Sequence, residues 1–219
     1  MTSPWRGALG LARVLCLAAV ALAPIQAATA RPQKLRVSDA AQAAELKSRG
    51  ARLLADYGSF QLWESDNASL ASPRLNRVEA ADDLDYIELN AGRLDTRSAG
   101  VLAQRRAVVP AVGRRLHLVQ FVGPIKPEWR EALEQTGVRV VHYVPHNAYL
   151  IRGDSAALAS FQLWAGTNAL VQWEGEYAAD YRIHPKARTV DAEGNPQTPA
   201  TDTFTVQLLE DADANPETL

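Results

Sequence analysis

Two stretches in which helical and strand periods alternate, set apart by Pro- and Gly-containing linkers, predict an α+β fold. Between about Leu116 and Tyr181 the elements run β-α-β-β-α-β, the order of a ferredoxin-like sandwich. The expected organisation is a leader at 1–30, a related smaller α+β unit at 31–98 and a linker at 99–113. The ferredoxin-like unit follows at 114–184, then a second linker at 185–202 and the start of an incomplete third unit at 203–219.

The leader determines the compartment. Arg6 and Arg13 precede an apolar run from Val14 to Pro24, and Ala28-Thr29-Ala30 supplies a small-x-small cleavage pattern. This is the pattern of a secretory signal peptide cut after Ala30, so the product is expected to be secreted or periplasmic. The run is too short, and its end too Ala-rich, for a stable span. Arg13-Val14-Leu15 before Cys16 is a poor lipoprotein signal. Removal of 30 residues from 219 leaves 189; the leader holds two of the 23 basic residues and none of the 25 acidic ones, so the net charge moves from −2 to −4. That balance offers no basic stripe for nucleic acid, and no apolar run remains for a bilayer. Cys16 leaves with the leader, which removes disulfides and thiolate ligands from consideration.

In the first unit Ser38-Asp39 offers a helix N-cap, with Gln42 placed as in a capping box and Gly50 as the stop. Arg52 to Ala55 and Phe60 to Trp63 are short strand candidates around Gly58-Ser59. A polar stretch, read as a short helix, leads to a strand at Leu84 to Leu89.

In the second unit Leu116 to Val122 is a strand broken by Gly123-Pro124. Pro127 suits the first turn of a helix, where its missing N–H costs nothing, and Glu128 and Glu131 complement the helix dipole. Gly137 ends that helix. Val138 to Tyr143 and Asn147 to Ile151 form a hairpin about Pro145-His146, Asp154 caps a helix carrying Leu158 and Phe161, and Leu170 to Trp173 begins the last strand. Trp129, Tyr149, Phe161 and Trp173 are expected in its core.

The two units share a plan. Gly50-Ala51-Arg52-Leu53-Leu54 aligns with Gly137-Val138-Arg139-Val140-Val141 without a gap, and Tyr57 with Tyr143 and Asp66 with Asp154 after small shifts. Val206 to Leu209 followed by Pro216-Glu217 repeats Val119 to Val122 followed by Pro127-Glu128, so the chain is expected to be the front part of something longer.

No catalytic signature is legible. His142 and His146 are four apart but Pro145 lies between them, which is not the spacing of a helical zinc pair. Asp211, Asp213 and Asn215 begin a calcium-loop pattern, yet Pro216 stands where that loop needs glycine. There is no Gly-x-Ser-x-Gly elbow and no phosphate loop. Asp82, Asp83 and Asp85 are expected to be a solvated acidic cluster. Neither metal nor cofactor is expected. Tyr177 and Tyr181, beyond the last strand, are candidates for a contact surface.

A family resemblance rests on longer strings. Leu118-Val-Gln-Phe-Val-Gly-Pro-Ile-Lys-Pro-Glu-Trp129 and Gly137 to Leu150 resemble the N-terminal propeptide region of secreted subtilisin-like serine proteases. Gln172-Trp-Glu-Gly-Glu-Tyr177 through Pro185 resembles the closing strand and exit segment of that region. Asp56 to Trp63 and Leu89 to Asp95 resemble a preceding unit found in multidomain members. The resemblance implies a non-catalytic prodomain that templates folding of the protease and inhibits it. The implied partner is a subtilisin-like protease domain, downstream in cis or separate in trans. The exit segment Tyr177 to Lys186 would lie in the substrate cleft, which makes Tyr177, Tyr181, Arg182, Ile183, His184 and Pro185 the implied protease contacts. The catalytic segments of that family are absent; Gly166-Thr167 is followed by Asn168 rather than serine. The alternative is a freestanding exported protease inhibitor or peptide-binding protein.

Overall fold

Leu35 and Val37 alternate with Lys34 and Arg36, the two-residue period of a strand, and the chain does form a strand there. This is β1 (Gln33–Val37), the opening strand of the computed structural model, which describes residues 31–67, 78–103, 113–198, 203, 205–207 and 209. The leader, the polar stretch at 68–77, linker residues 104–112 and the Asp211 to Glu217 motifs lie outside the described residues.

After β1 come α1 (Ala40–Ser48), β2 (Arg52–Asp56), β3 (Gln61–Ser65) and β4 (Val78–Ala80). The Asp39 carboxylate caps α1 by accepting from Ala41 N at 2.9 Å and Gln42 N at 3.0 Å. The capping box is only half made, because Gln42 Oε1 has no partner. The four strands form an antiparallel sheet in the order β2-β3-β1-β4.

A 3-10 turn (Asp82–Asp85) then feeds a separate hairpin, β5 (Tyr86–Leu89) and β6 (Gly92–Asp95), and α2 (Ala99–Ala103). The strand expected at Leu84 to Leu89 thus starts two residues later, and Gly92 to Asp95 is a partner strand the sequence reading did not anticipate.

The second sheet comes from β7 (Arg115–Phe121), α3 (Pro127–Glu134), β8 (Arg139–Val144), β9 (Ala148–Gly153), α4 (Ser155–Thr167) and β10 (Val171–Glu176). Its order is β10-β7-β9-β8, antiparallel throughout. Asp154 caps α4 through Ala157 N at 2.9 Å. His146 and Asn147, both at positive φ, make the tight turn between β8 and β9. A short helix α5 (Ala179–Arg182), a 3-10 turn (Pro185–Ala187) and a two-stranded hairpin, β11 (Thr189–Val190) and β12 (Pro196–Gln197), complete the described elements. The described residues of the expected third unit form no strand, and Val206 is 74% exposed.

The two sheets have one connectivity. Counted within its own unit, each places the strands as 4-1-3-2. The likeness reaches single residues. Gly50 and Gly137 both end their helices at positive φ (84° and 93°), where a side chain would be strained. Four residues later each second strand shifts register, between Leu53 and Ala55 in β2 and between Val140 and His142 in β8. The bulged residues, Leu54 and Val141, are the pair that the gapless alignment matches.

Three apolar clusters follow from the alternation of faces. Leu35, Val37 and Trp63 pack with Ala43 and Leu46 of α1. Val119, Phe121 and Ile151 pack with Trp129 and Leu133 of α3 and with Leu158 and Phe161 of α4. This second cluster also takes in Leu54, Ala55 and Leu62 of the first sheet, so the two units share a core. Tyr57 completes the join by donating to Pro124 O at 2.9 Å and meeting the edge of Trp129. On the far face of the second sheet Leu118, Ala148, Leu150 and Trp173 are covered by Ile87 and Leu94 of the β5–β6 hairpin. Trp173 therefore sits on the opposite face from Trp129 and Phe161, not in one core with them.

Candidate protein-contact site

The chain leaves β10 at Glu176 with Tyr177, whose ring packs against the cluster under the β5–β6 hairpin. Tyr177 lies just before α5 and Tyr181 within it, with ring centroids 6.0 Å apart. Tyr177 Oη donates to Tyr181 O at 2.9 Å, and the Arg182 guanidinium donates back to Tyr177 O at 2.8 and 3.1 Å. Burial raises both phenol pKa values; the Asp180 carboxylate adds to the rise at Tyr181. In the free chain this part of the exit segment is a closed, self-bonded turn rather than an extended strand. Ile183 is 44% exposed, His184 and Pro185 are exposed, and His184 Nδ1 accepts from Lys186 N at 3.1 Å.

Beside Tyr177 lies a cleft of about 140 Å³ lined by Glu88, Leu89 and Asn90 of the hairpin, His142 to Pro145 at the outer strand, and Leu150. Tyr143 is 54% exposed at its rim. The six implied contact residues are thus divided: Tyr177 and Tyr181 pack against the apolar cluster, Arg182 closes the turn on Tyr177 O, and Ile183, His184 and Pro185 are exposed at the start of a 3-10 turn. The hairpin lining was not foreseen from the sequence. Its signal was the turn-forming Asn90-Ala91-Gly92 between two short alternating runs.

The largest departure from expectation is Asp85. Read as part of a solvated acidic cluster, it is fully buried; Asp82 also serves, accepting Lys34 N at 3.0 Å, and Asp83 alone of the three stays exposed. Asp85 lies 3.1 Å from the buried Lys34 ammonium, 2.9 Å from Arg97 and 3.2 Å from Arg31. The Leu84 carbonyl at the same spot accepts from Lys34 Nζ, Gln120 Nε2 and Gln172 Nε2 at 3.2, 3.2 and 3.3 Å, and Lys34 also donates to Gln172 Oε1. Four elements therefore meet in one polar hub: β1, the 82–85 turn, β7 and β10. Burial lowers the Lys34 pKa to about 8, with Asp85 opposing the fall. For the neighbouring Glu64 burial pulls upward, but hydrogen bonds from Arg52 and Arg97 prevail and hold its pKa down.

The histidines are dispersed. His117 is buried, 2.5 Å from Glu174 and edge-on to Phe161. His146 lies 3.7 Å from Asp83 and 4.0 Å from Glu88 at the surface. Among the described residues no three potential ligands cluster as a metal site would need.

Residues 88–178 match the profile of a family described as a domain of unknown function (DUF8729). No curated protein and no solved structure matches the chain. The matched span starts within β5 and ends just past β10, so it takes in most of the β5–β6 hairpin together with the whole second sheet. Among the described residues no helix is long and apolar enough to cross a membrane.

Proposed function

We propose that the chain is the non-catalytic prodomain region of a secreted subtilisin-like serine endopeptidase, assisting the folding of the protease and inhibiting it. The observation that carries this reading is the second unit: an antiparallel sheet in the order 4-1-3-2 with two crossover helices, as expected of a ferredoxin-like unit, followed after α5 by an exposed segment at Ile183 to Lys186. The strings that carry the resemblance fall on its turns and packing positions. Gly123-Pro124 receives the Tyr57 contact, Pro127 starts α3, and Pro145 to Asn147 make the β8–β9 turn. Such a module works by presenting a rigid scaffold and an adaptable strand, which a protease cleft accepts as an extended peptide. Contact in this mode requires Ile183 to Lys186 to straighten, unwinding the 3-10 turn at Pro185–Ala187, while Tyr177 and Tyr181 stay packed.

The test is refolding. A subtilisin-like protease domain diluted from denaturant should recover activity faster, and to a higher yield, with residues 31–219 present than with albumin. Equal recovery would reject the chaperone half of the proposal. A second reading, a freestanding peptide-binding protein, is favoured by the cleft lined by Glu88, His142, Tyr143 and Tyr177. Under that reading short peptides alone would bind, and Tyr143→Ala would weaken them.

A further inference from the structure

We propose that residues 182–188 are a latent strand with one cationic face: folded on themselves in the free chain, they extend onto a protein groove lined by carboxylates. Arg182, His184, Lys186 and Arg188 recur at every second position, with Ile183, Pro185 and Ala187 between them. That is the two-residue period of a strand with a basic face and an apolar face. The free chain does not use that period: Arg182 ends α5, and Pro185–Ala187 is a 3-10 turn.

Local bonds hold the folded form. Arg182 donates to Tyr177 O through Nε (3.1 Å) and Nη2 (2.8 Å). Arg188 Nη2 donates to Asp180 Oδ1 at 2.9 Å and to Asp180 O at 3.1 Å. Ala187 N and Arg188 N close the 3-10 turn on His184 O and Pro185 O, at 2.8 and 2.9 Å. The clasp is weak, because the Asp180 side chain is 82% exposed and an exposed ion pair shifts an equilibrium by at most about fivefold. The segment is also most of the way to a strand. Ile183 (φ −104°, ψ 119°), His184 (φ −61°, ψ 138°) and Arg188 (φ −110°, ψ 100°) already have extended backbone. The remaining change is confined to the 3-10 turn, and the φ that the Pro185 ring fixes suits a strand edge.

Charge complementarity selects the partner. Extended from Ile183 onward, the segment carries His184, Lys186 and Arg188 on one face, about 7 Å apart, with Arg182 at its start. Ile183, Pro185 and Ala187 then share the other face. A matching groove offers carboxylates at that spacing on one wall and apolar side chains on the other. The chain as a whole has a net charge of −2, so this basic face is a local exception. It suits an acidic groove better than a long polyanion, which would also meet the rest of the surface. That the groove is the substrate cleft of a subtilisin-like protease rests on the reading above. The inference adds that this cleft is acidic, so the protease prefers substrates with basic side chains.

Nuclear magnetic resonance on residues 31–219 tests the strand without a protease. The probe is a seven-residue peptide of alternating Glu and Val; the control has the same composition with four Glu followed by three Val. The alternating peptide should shift the amides of 183, 184 and 186–188 and move the Cα shifts of 185–187 to extended values. The control should bind at least about fivefold more weakly, and salt should weaken both. Asp180→Asn should speed amide exchange at Ala187 and Arg188 about two- to fivefold and tighten the alternating peptide by a similar factor, because more of the chain is competent. Lys186→Ala combined with Ala187→Lys keeps the charge but moves it to the apolar face, and should lower the affinity at least about threefold. Equal binding of the two peptides, or no effect of the exchanged pair, would overturn the proposal: charge alone would act, without a strand face. In a second arm residues 31–219 should inhibit a subtilisin-like protease that cleaves after basic residues more tightly than one that cleaves after apolar residues. Peptide binding with neither protease inhibited would leave the latent strand standing and remove the protease as owner of the groove. Inhibition of both proteases with no shift of the 183–188 amides by the alternating peptide would overturn the latent strand and leave the reading above intact.

Discussion

Asp85→Asn keeps the shape of a buried side chain and removes the charge that faces Lys34 Nζ at 3.1 Å and Arg97 Nε at 2.9 Å. The Lys34 ammonium would then be fully buried without its nearest counter-charge. Removing one partner of a buried pair typically costs about 3–5 kcal/mol, because the other charge is left uncompensated. Lys34 can limit the loss by deprotonating, since burial already brings its pKa to about 8. The expected loss is therefore about 3 kcal/mol at neutral pH, a large share of the roughly 5–15 kcal/mol of a typical domain. Urea unfolding followed by tryptophan fluorescence measures it, since Trp63, Trp129 and Trp173 lie in three different apolar clusters. Lys34→Met combined with Asp85→Asn should restore most of the stability, giving a coupling of about 2 kcal/mol. An Asp85→Asn variant within about 0.5 kcal/mol of the parent would mean that the hub is solvated and that the two units are not fastened there.

Other perturbations follow from the same geometry. A Cβ on Gly123 would lie 2.6 Å from Leu62 Cδ2 and 2.7 Å from Tyr57 Oη, so Gly123→Ala should cost about 1–3 kcal/mol by thermal unfolding and weaken the docking of the first unit. Gly50→Ala and Gly137→Ala should each cost about 1 kcal/mol, since both glycines hold positive φ in matching places. Lys34 is protonated less readily folded than unfolded, so its burial penalises the folded state below about pH 8 and that penalty fades as pH rises toward 10.5. Stability measured across that window should gain from this group at up to about 1.4 kcal/mol per pH unit, and Lys34→Met should remove that gain.

The second unit was largely legible because its signals are local. Pro127 and Gly137 bound α3, Asp154 caps α4, and β-branched runs mark β7 to β9. The α+β class and the shared plan of the two units rest on such local patterns. What stayed hidden depends on distance along the chain. Lys34 meets Gln172 across 138 positions, and no periodicity announces that a charged residue on a strand's second face will be buried by another layer. The same blindness placed Asp85 in solvent. β1 shows a clean alternation, but it is short and directly follows Pro32 and the leader. The resemblance places the exit segment in a substrate cleft, while the Tyr177–Tyr181 spacing and Ala178-Ala179 between them favour the turn of helix that forms.

Progress curves for a subtilisin-like protease cleaving a chromogenic peptide test the proposed inhibition by the exit segment. Residues 31–219 should inhibit competitively, and truncation after Lys186 should retain that inhibition. Arg182→Ala combined with Ile183→Ala should weaken it at least about tenfold, corresponding to about 1.4 kcal/mol, without changing the unfolding midpoint. No inhibition by the parent chain at micromolar concentration, or equal inhibition after the double substitution, would contradict the assignment of the exit segment as the inhibitory strand.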